Sequence, residues 1–265
     1  MLNLDLPLPW PTGSTGLCYW NSKIAICLQG GEREGKTLAN RIALLEPDKS
    51  FAVHSYCELP DYCDPHSLAS DEEGLYVAAT GKDSIYRATF DGGRWNLKHY
   101  WTLPGSDGKK DRNHINGLTL YKERLLTSGF EKKGSGGWES ANRGFVYDVT
   151  AEGYLMRGIN HPHSVIATDE ELITCESKES RLVFDSGETE RFDLGYLRGL
   201  FTDKHYYYVG ISKKRRFSKS GDGEKARRIY EGECAIFRLH KKSGKIGQVV
   251  DFSKQRNEIY DLLPL

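Results

Sequence analysis

The chain repeats one short pattern five times, as Thr15-Gly16-Leu17, His66-Ser67-Leu68, Asn116-Gly117-Leu118, His163-Ser164-Val165 and Arg198-Gly199-Leu200. Each copy has a polar first residue, then Gly or Ser, then Leu or Val at the start of a predicted strand. The first residues of successive copies lie 51, 50, 47 and 35 positions apart. Repeats of about 40 to 50 residues with several strands each are typical of β-propeller blades.

Short strands dominate the sequence between these copies. Residues 23–28, 74–80 and 206–211 are apolar or alternating, and turn residues bound each of them. Each unit contains the motif strand, a turn, a second strand, a longer loop and two more strands, which is the order of a four-stranded antiparallel blade. We therefore predict an all-β protein, with one propeller domain over residues 1–265. The predicted blades cover residues 15–57, 66–103, 116–158, 163–194 and 198–252.

The end of the chain bears on how the ring of blades closes. Residues 258–263 read as one more strand. This strand can pair with the first blade, which removes a free sheet edge. It can also be the inner strand of a degenerate sixth blade. We favour five blades that are closed by the C-terminal strand.

Charge and composition argue against several classes of function. Lys and Arg number 37 together, as do Asp and Glu, and a neutral chain does not favour general nucleic-acid binding. No apolar run reaches about 18 residues, so no membrane span is predicted. The N-terminus lacks the features of a secretory signal, and the six Cys form no C-x-x-C pair. We expect reduced cysteines and a cytoplasmic location, with a Cys57–Cys63 disulfide as the alternative.

The innermost strands of a propeller converge on its axis, so the first residues of the five motif copies are expected to form a ring. These residues are Thr15, His66, Asn116, His163 and Arg198. His114 and His161 each lie two positions before a ring residue. Residues at that spacing share one side of a strand, so four histidines are expected around an axial cavity.

A cluster of imidazoles with an amide oxygen predicts a divalent metal site. The candidate ligands are His66, His114, Asn116, His161 and His163. Imidazole suits zinc, iron and similar ions, and oxygen ligands suit manganese or calcium. Two alternatives stay open: the histidines bond backbone groups in structural turns, or they contact a ligand without a metal.

A cationic ring residue indicates a negatively charged ligand. Arg198 can clamp a carboxylate or phosphate, or it can form a salt bridge with Glu176 or Glu258. Glu176 follows the second strand of blade four, which makes it the first candidate for a carboxylate base. Tyr260 is a further candidate, because a Tyr beside an Arg and a His can move a proton. The predicted catalytic set is His66, His163, Glu176, Arg198 and Tyr260.

Two long loops follow second strands, at residues 129–144 and 213–228. Turns at that place lie at the end of the blade where the motif strands begin, so both loops are predicted to overhang the site. Residues 213–228 carry a net charge of +6. This segment can attract an anionic substrate, contact a protein partner, or be a solvated loop.

Several segments in the same order resemble a family of bacterial propellers of unknown function. They are His114-Ile115-Asn116-Gly117-Leu118, Gly137-Trp138, His161-Pro162-His163-Ser164, Arg198-Gly199-Leu200, Val209-Gly210-Ile211-Ser212 and the stretch from Cys234 to Asp261. The resemblance begins near Asp64 and covers most of the chain. It implies a propeller and brings no established activity.

More distantly, the Asn-Gly-Leu and Pro-His-Ser strand starts are similar to those of calcium-dependent lactonases and arylesterases. The resemblance implies calcium held on the axis by Asn, Asp and Glu. Asn116 and Glu176 match that pattern, whereas the histidines and Arg198 depart from it. Some propeller lyases that act on uronic-acid sugars use axial His with Arg or Tyr, residue types that this chain also has.

Two functions follow from these observations. The first is an axial site for a small anionic molecule, carbohydrate-like or lactone-like, with lyase, epimerase or hydrolase chemistry and the possible assistance of a metal. The second is a non-catalytic scaffold or sensor that binds a protein or peptide on its loop face, with residues 213–228 as the contact. Substitution of His163 distinguishes the two, because it weakens the first function and leaves the second unchanged.

Overall fold

A computed structural model describes residues 13–33, 36–48, 50–135, 137–217 and 228–264. Within these residues the chain forms five antiparallel sheets of four strands each, arranged as a propeller, which confirms the predicted fold. Two short two-stranded ribbons are inserted into the first and fifth blades. Among the described residues no helix is both long and apolar enough to cross a membrane.

Each blade begins with its motif strand on the inside. Blade 1 contains β1 (Gly13–Trp20), β2 (Lys23–Gln29), the ribbon β3 (Gly31–Arg33) and β4 (Lys36–Leu38), β5 (Arg41–Leu45) and β6 (Val53–Glu58). Blade 2 contains β7 (Pro65–Ser70), β8 (Leu75–Ala79), a 3-10 turn (Thr80–Lys82), β9 (Ser84–Asp91) and β10 (Arg94–Thr102). Blade 3 contains β11 (Ile115–Tyr121), β12 (Arg124–Gly129), a 3-10 turn (Trp138–Ser140), β13 (Gly144–Asp148) and β14 (Gly153–Ile159).

The last two blades follow the same order. Blade 4 contains β15 (Pro162–Ala167), β16 (Leu172–Glu176), β17 (Arg181–Phe184) and β18 (Thr189–Arg191). Blade 5 contains β19 (Tyr196–Thr202), β20 (Tyr206–Ser212), the ribbon β21 (Lys214–Phe217) and β22 (Arg228–Glu231), β23 (Ala235–His240) and β24 (Ile246–Asp251). The inner strands β1, β7, β11, β15 and β19 contact one another in sequence.

The apolar cores lie mainly between neighbouring blades. Ile42 and Val77 share one fully buried cluster between blades 1 and 2, and Ile173 and Ile211 share another between blades 4 and 5. All six cysteines are free, so the alternative of a Cys57–Cys63 disulfide is not present. The sheets therefore pack face to face around the axis, as alternating apolar strands predict.

Every inner strand carries a β-bulge at its motif. The register shifts fall between Ser14 and Leu17, Pro65 and Ser67, Ile115 and Gly117, His163 and Val165, and Arg198 and Leu200. A bulge bends its strand and re-aims the neighbouring side chains. The repeated sequence pattern therefore marks a repeated irregularity of the backbone at the start of each inner strand.

The second motif residue is small because inner strands touch there. A Cβ atom on Gly16 would lie 2.4 Å from the Cα atom of Ser67. A Cβ atom on Gly117 would lie 3.1 Å from the backbone nitrogen of Ser164. Gly and Ser thus alternate at the axis, since a larger side chain at these glycines would overlap the neighbouring backbone.

Residues 252–264 form a C-terminal tail that contains no strand. The predicted strand at residues 258–263 is therefore wrong. Side chains replace a strand ladder there. Ser212 Oγ donates to the Ile259 carbonyl and accepts from the Ile259 N–H, both at 3.0 Å. The Leu17 N–H donates to Asp261 Oδ2 at 2.9 Å.

The tail nevertheless takes the place of an inner strand between blades 5 and 1. Gly199 packs against the backbone of Asp261 in the same way as Gly16 packs against the backbone of Ser67. A Cβ atom on Gly199 would lie 3.0 Å from the Asp261 Cα atom. Asp261 accepts from a backbone N–H of blade 1, and Ser67 Oγ likewise accepts from the Leu118 N–H at 3.1 Å. Tyr260 therefore occupies the sixth position of the ring, next to the five motif residues.

Candidate functional site

Seven side chains form a closed circuit around the axis, which we call the axial collar: His66, His114, Phe130, His163, Tyr196, Arg198 and Tyr260. Each member contacts the next one in this order, and Tyr260 contacts His66, which closes the circuit. The distances between ring centres, or between the Arg198 guanidinium carbon and a ring centre, run from 4.3 Å for Arg198 and Tyr260 to 6.1 Å for Tyr260 and His66. Blades 2 to 5 and the tail all contribute. The collar thus brings His66, His163, Arg198 and Tyr260 together, as the sequence predicts.

His163 has a defined tautomer. Its Nδ1 lies 2.8 Å from Ser177 Oγ, and Ser177 donates its one hydroxyl proton to the Leu197 carbonyl at 2.6 Å. Ser177 therefore accepts from His163, and Nδ1 carries the proton. The His163 Nε2 then holds a lone pair.

His66 and His114 have the same tautomer for different reasons. His66 Nδ1 lies 3.0 Å from the Asp64 carbonyl oxygen, which can only accept. His114 Nδ1 lies 2.9 Å from the Asp111 carboxylate. Both imidazoles therefore donate from Nδ1 and keep a lone pair on Nε2.

The Nε2 atoms of these three histidines are open. Within the described residues none of them has a hydrogen-bond partner, and none is among the polar atoms that are fully buried without one. Each therefore keeps some accessible surface although its side chain is mostly buried. The collar presents three hydrogen-bond acceptors of the same kind.

Burial keeps these imidazoles neutral. It lowers the pKa of His66 to about 4 and that of His114 to about 4, although nearby Asp64 opposes the shift in both. Burial also lowers the pKa of His163 well below its usual value, and the positive charge of Arg198 acts in the same direction. All three are therefore uncharged near pH 7.

His161 differs from the other histidines. Its Nε2 donates to the Trp138 carbonyl at 2.8 Å, and its Nδ1 accepts from the Tyr196 hydroxyl at 3.0 Å. Both nitrogens are occupied, so His161 holds the loop that carries Trp138. The assumption of strand-like alternation is wrong here, because His114 and His161 have left-handed backbones with φ of 52° and 56°.

Arg198 carries the positive charge of the collar. Its Nη1 donates to Glu258 Oε2 at 3.1 Å, and its guanidinium lies between the rings of Tyr196 and Tyr260. Its Nε is fully buried and has no hydrogen-bond partner in the part of the chain that the structure describes. Its Nη2 has no partner among the described residues and is not fully buried. The salt bridge with Glu258 is thus formed, and one edge of the guanidinium stays open.

Glu176 lies outside the contacts of the collar. It is buried and accepts from Arg181 Nε and from the Asn160 N–H, the latter at 2.7 Å. Arg181 belongs to the neighbouring strand β17 of the same blade. Both oxygens of this carboxylate are occupied by protein groups, so Glu176 is not assigned to the axial binding site.

Two further ring residues serve the architecture. Thr15 donates to the Pro65 carbonyl at 2.6 Å, which joins blade 1 to blade 2. Asn116 accepts from Ser128 at 2.9 Å, and its Nδ2 is fully buried with no hydrogen-bond partner among the residues described. Both side chains are buried at the starts of their inner strands.

Metal binding has no support in the arrangement of these side chains. Across the described part of the chain, no group of three or more His, Cys, Asp or Glu is placed so as to hold a metal ion. Binding of zinc, manganese, iron or calcium therefore stays a prediction.

Described residues of the loop at 129–144 contact the collar. The Trp138 ring lies 4.7 Å from the His114 ring, and Lys133 Nζ lies 4.4 Å from the Trp138 ring. Of the basic segment 213–228, the strands β21 and β22 form a ribbon outside the five blade sheets, and residues 218–227 lie outside the described residues.

Sequence reasoning missed Phe130, Tyr196, Asp111 and Ser177. Tyr196 stands two positions before Arg198, as His114 stands two positions before Asn116, and that place in the repeat is the signal that points to it. Phe130 and Ser177 are each the first residue after a second strand. In blade 4 the residue just before Ser177, Glu176, was selected for that place instead.

A cavity of about 410 Å³ lies on the axis beyond the collar. The later residues of all five inner strands line it, together with residues 261–264 of the tail. None of the seven collar side chains lines it. The collar and this cavity are therefore at different levels of the axis.

Solved structures share the fold at low sequence identity. A periplasmic gluconolactonase of Pseudomonas aeruginosa is 13% identical, with 92% of this chain and 73% of that chain covered and a TM-score of 0.52. A virginiamycin B lyase of Staphylococcus aureus is 15% identical, with coverages of 92% and 86% and a TM-score of 0.50. A protein of Lactobacillus plantarum is 14% identical, with coverages of 92% and 86% and a TM-score of 0.54. These similarities establish a common fold alone.

Sequence comparison gives the family. Among curated proteins no match to the chain was found. One family model, described as a domain of unknown function, matches residues 37–265, a range that holds four of the five motif copies and the tail. The chain therefore belongs to the DUF4915 family.

Proposed function

We propose that the axial collar binds a small hydroxylated carboxylate, such as a sugar acid or an opened lactone, and transfers a proton on it. The observation that carries this proposal is the set of three neutral imidazoles with open Nε2 atoms in one circuit with Arg198. Hydroxyl groups of a ligand can donate to these lone pairs. A carboxylate can accept from the open Nη2 of Arg198.

Each residue has a distinct role in this proposal. Arg198 binds the carboxylate, and Tyr260 packs on the guanidinium at 4.3 Å and keeps it in place. His66 and His114 accept hydrogen bonds from ligand hydroxyls. His163 Nε2 takes the proton from the carbon next to the carboxylate, and the electron pair of the broken C–H bond is delocalised into the carboxylate that Arg198 holds. Tyr196, which contacts both the His163 ring and the Arg198 guanidinium, keeps these two residues next to each other.

The charge of the ligand makes His163 a better base. The positive charge of Arg198 contributes to the low pKa of His163. An anion bound to Arg198 offsets that positive charge and raises the pKa of the imidazole toward neutrality, where general bases are most effective. Elimination and epimerisation of a sugar acid both begin when such a base removes the proton from the carbon next to the carboxylate.

The titration calorimetry of matched small molecules tests the proposal. We expect gluconate or glucuronate to bind, and sorbitol and acetate to bind far more weakly, since sorbitol lacks the carboxylate and acetate lacks the hydroxyls. Arg198→Gln should weaken binding by at least about 30-fold, because a buried charged hydrogen bond is lost. His163→Ala should weaken it by about tenfold.

The controls for this experiment are exposed residues. Arg94→Gln and His205→Ala should bind the acid like the unmodified protein, since both positions are exposed. The proposal is wrong if neither acid binds, if sorbitol binds as tightly as the acids, or if Arg198→Gln has no effect.

The scaffold hypothesis predicts a different pattern. It assigns the contact with a protein or peptide to the segment 213–228, of which the ribbon β21–β22 is described. Charge reversal at Lys214 on that ribbon should leave acid binding at the collar unchanged. A loss of acid binding in Lys214→Glu would contradict the assignment of the site to the collar.

A cytoplasmic location is part of the proposal. Six free cysteines, five of them buried, support it, because free thiols are typical of proteins in a reducing compartment.

A further inference from the structure

We infer that Ser177 is a positioning residue of the axial collar, which fixes His163 in the tautomer that presents its Nε2 lone pair. The tautomer follows from the hydrogen bonds alone. The consequence for ligand binding rests on the proposed function.

The proton count around Ser177 leaves one arrangement. The Leu197 carbonyl, 2.6 Å from Ser177 Oγ, can only accept, so it takes the single hydroxyl proton. The oxygen then has only lone pairs to offer His163 Nδ1 at 2.8 Å. The other neighbour of that Nδ1, the His161 carbonyl at 3.3 Å, is also an acceptor. Both contacts require a proton on Nδ1.

Ser177 is itself held firmly. It is fully buried, and its N–H donates to the His161 carbonyl at 3.2 Å. Its partner Leu197 is the residue before Arg198 in β19. One hydroxyl group thus connects the proposed base of blade 4 to the strand that carries the anion-binding residue of blade 5.

Blade 2 provides an internal comparison. Thr80 is the first residue after β8, as Ser177 is after β16, and it donates to the Ile115 carbonyl of blade 3 at 2.5 Å. The hydroxyl-to-carbonyl bond therefore recurs between blades. Within the described residues only the copy at Ser177 also accepts from an imidazole. The Ser177 hydroxyl therefore both joins two blades and fixes the tautomer of His163.

Without the Ser177 hydroxyl, His163 should no longer be held in the tautomer with its proton on Nδ1. In Ser177→Ala the one acceptor left for Nδ1 among the described residues is the His161 carbonyl at 3.3 Å, which is beyond the usual range of a good hydrogen bond. The tautomer with its proton on Nε2 then becomes populated. In that tautomer the lone pair of His163 is on Nδ1, so Nε2 can no longer accept a hydrogen bond. Ser177→Thr retains a hydroxyl, as Thr80 does in blade 2.

Long-range proton–nitrogen NMR of protein with labelled histidine reads the tautomer directly at pH 7.5, without a ligand. We expect His163 in the unmodified chain to show a protonated Nδ1 and an unprotonated Nε2. Ser177→Ala should shift both resonances toward averaged values, and Ser177→Thr should restore them. Thr80→Val is the matched control, since it removes the equivalent bond of blade 2 and should leave the His163 resonances unchanged.

Gluconate affinity, measured on the same variants, separates this inference from the proposed function. We expect a loss of about tenfold in Ser177→Ala and none in Thr80→Val. Unchanged His163 resonances in Ser177→Ala, or an equal shift in Thr80→Val, would overturn the inference. If the resonances shift as expected but the unmodified protein binds no acid, the inference stands and the proposed function fails.

Discussion

Gly16→Ala is expected to lower the free energy of unfolding by about 3 kcal/mol, the upper part of the usual range for overpacking. The added methyl carbon would lie 2.4 Å from the Ser67 Cα and 2.5 Å from the Leu68 nitrogen. These are backbone atoms of an inner strand, so they cannot move aside as a side chain would. The strain falls where blades 1 and 2 meet at the axis.

Urea denaturation measures this change, with Gly153→Ala as the matched control. Gly153 also lies in a strand, and a Cβ atom there would have no neighbour within 4 Å in the described structure. We expect the control to change the stability by less than about 0.5 kcal/mol. Equal unfolding free energies for the two variants would contradict the close packing of inner strands at the motif.

The second large effect is a loss of stability on acidification, caused by His66 and His114. The pKa of each is about 4 in the folded protein, whereas an unfolded histidine titrates near 6.5. Between these values the unfolded chain binds protons that the folded chain does not, so stability falls as the pH falls. From pH 7.5 to pH 5 the loss is about 2 kcal/mol for each histidine.

Other groups modify the total. Burial raises the pKa of Asp111 and of Asp261 to about 6, and each stabilises the folded protein as the pH falls through this window. His163 and His161, whose pKa values are lowered, act in the same direction as His66 and His114. A comparison between variants therefore tests the two histidines better than the total does.

Unfolding free energies at pH 7.5 and pH 5 provide that comparison. The double variant His66→Gln/His114→Gln should lose about 4 kcal/mol less between the two pH values than the unmodified protein, and each single variant about half of that. His205→Gln, at an exposed position, should keep the original dependence. An unaltered dependence in the double variant would show that these imidazoles are not buried in the neutral form.

The architecture can be predicted from the sequence because the same close contact between inner strands requires a small residue in each blade. Gly16, Gly117 and Gly199 each face the backbone of the next inner segment, so the pattern of a polar residue followed by Gly or Ser marks every inner strand. That pattern located all five blades. It did not apply to the tail, where Asp261 stands in place of a small residue and accepts from the Leu17 N–H.

The candidate site was predicted in part. His66, His163 and Arg198 do meet on the axis because they share one position in the repeat, and Tyr260 joins them because the tail takes the place of an inner strand. The pairing of Glu176 with Arg181 depends on the register of two strands, which composition does not reveal. The tautomers depend on acceptors from other turns and blades, such as the Leu197 carbonyl behind Ser177.

A crystal structure of the chain with gluconate or glucuronate tests the central claim most directly. The account predicts the carboxylate within hydrogen-bond distance of Arg198 Nη2, and a ligand hydroxyl or C–H group directed at His163 Nε2. Ligand density confined to the axial cavity of about 410 Å³ beyond the collar, or an empty collar at saturating acid, would contradict it.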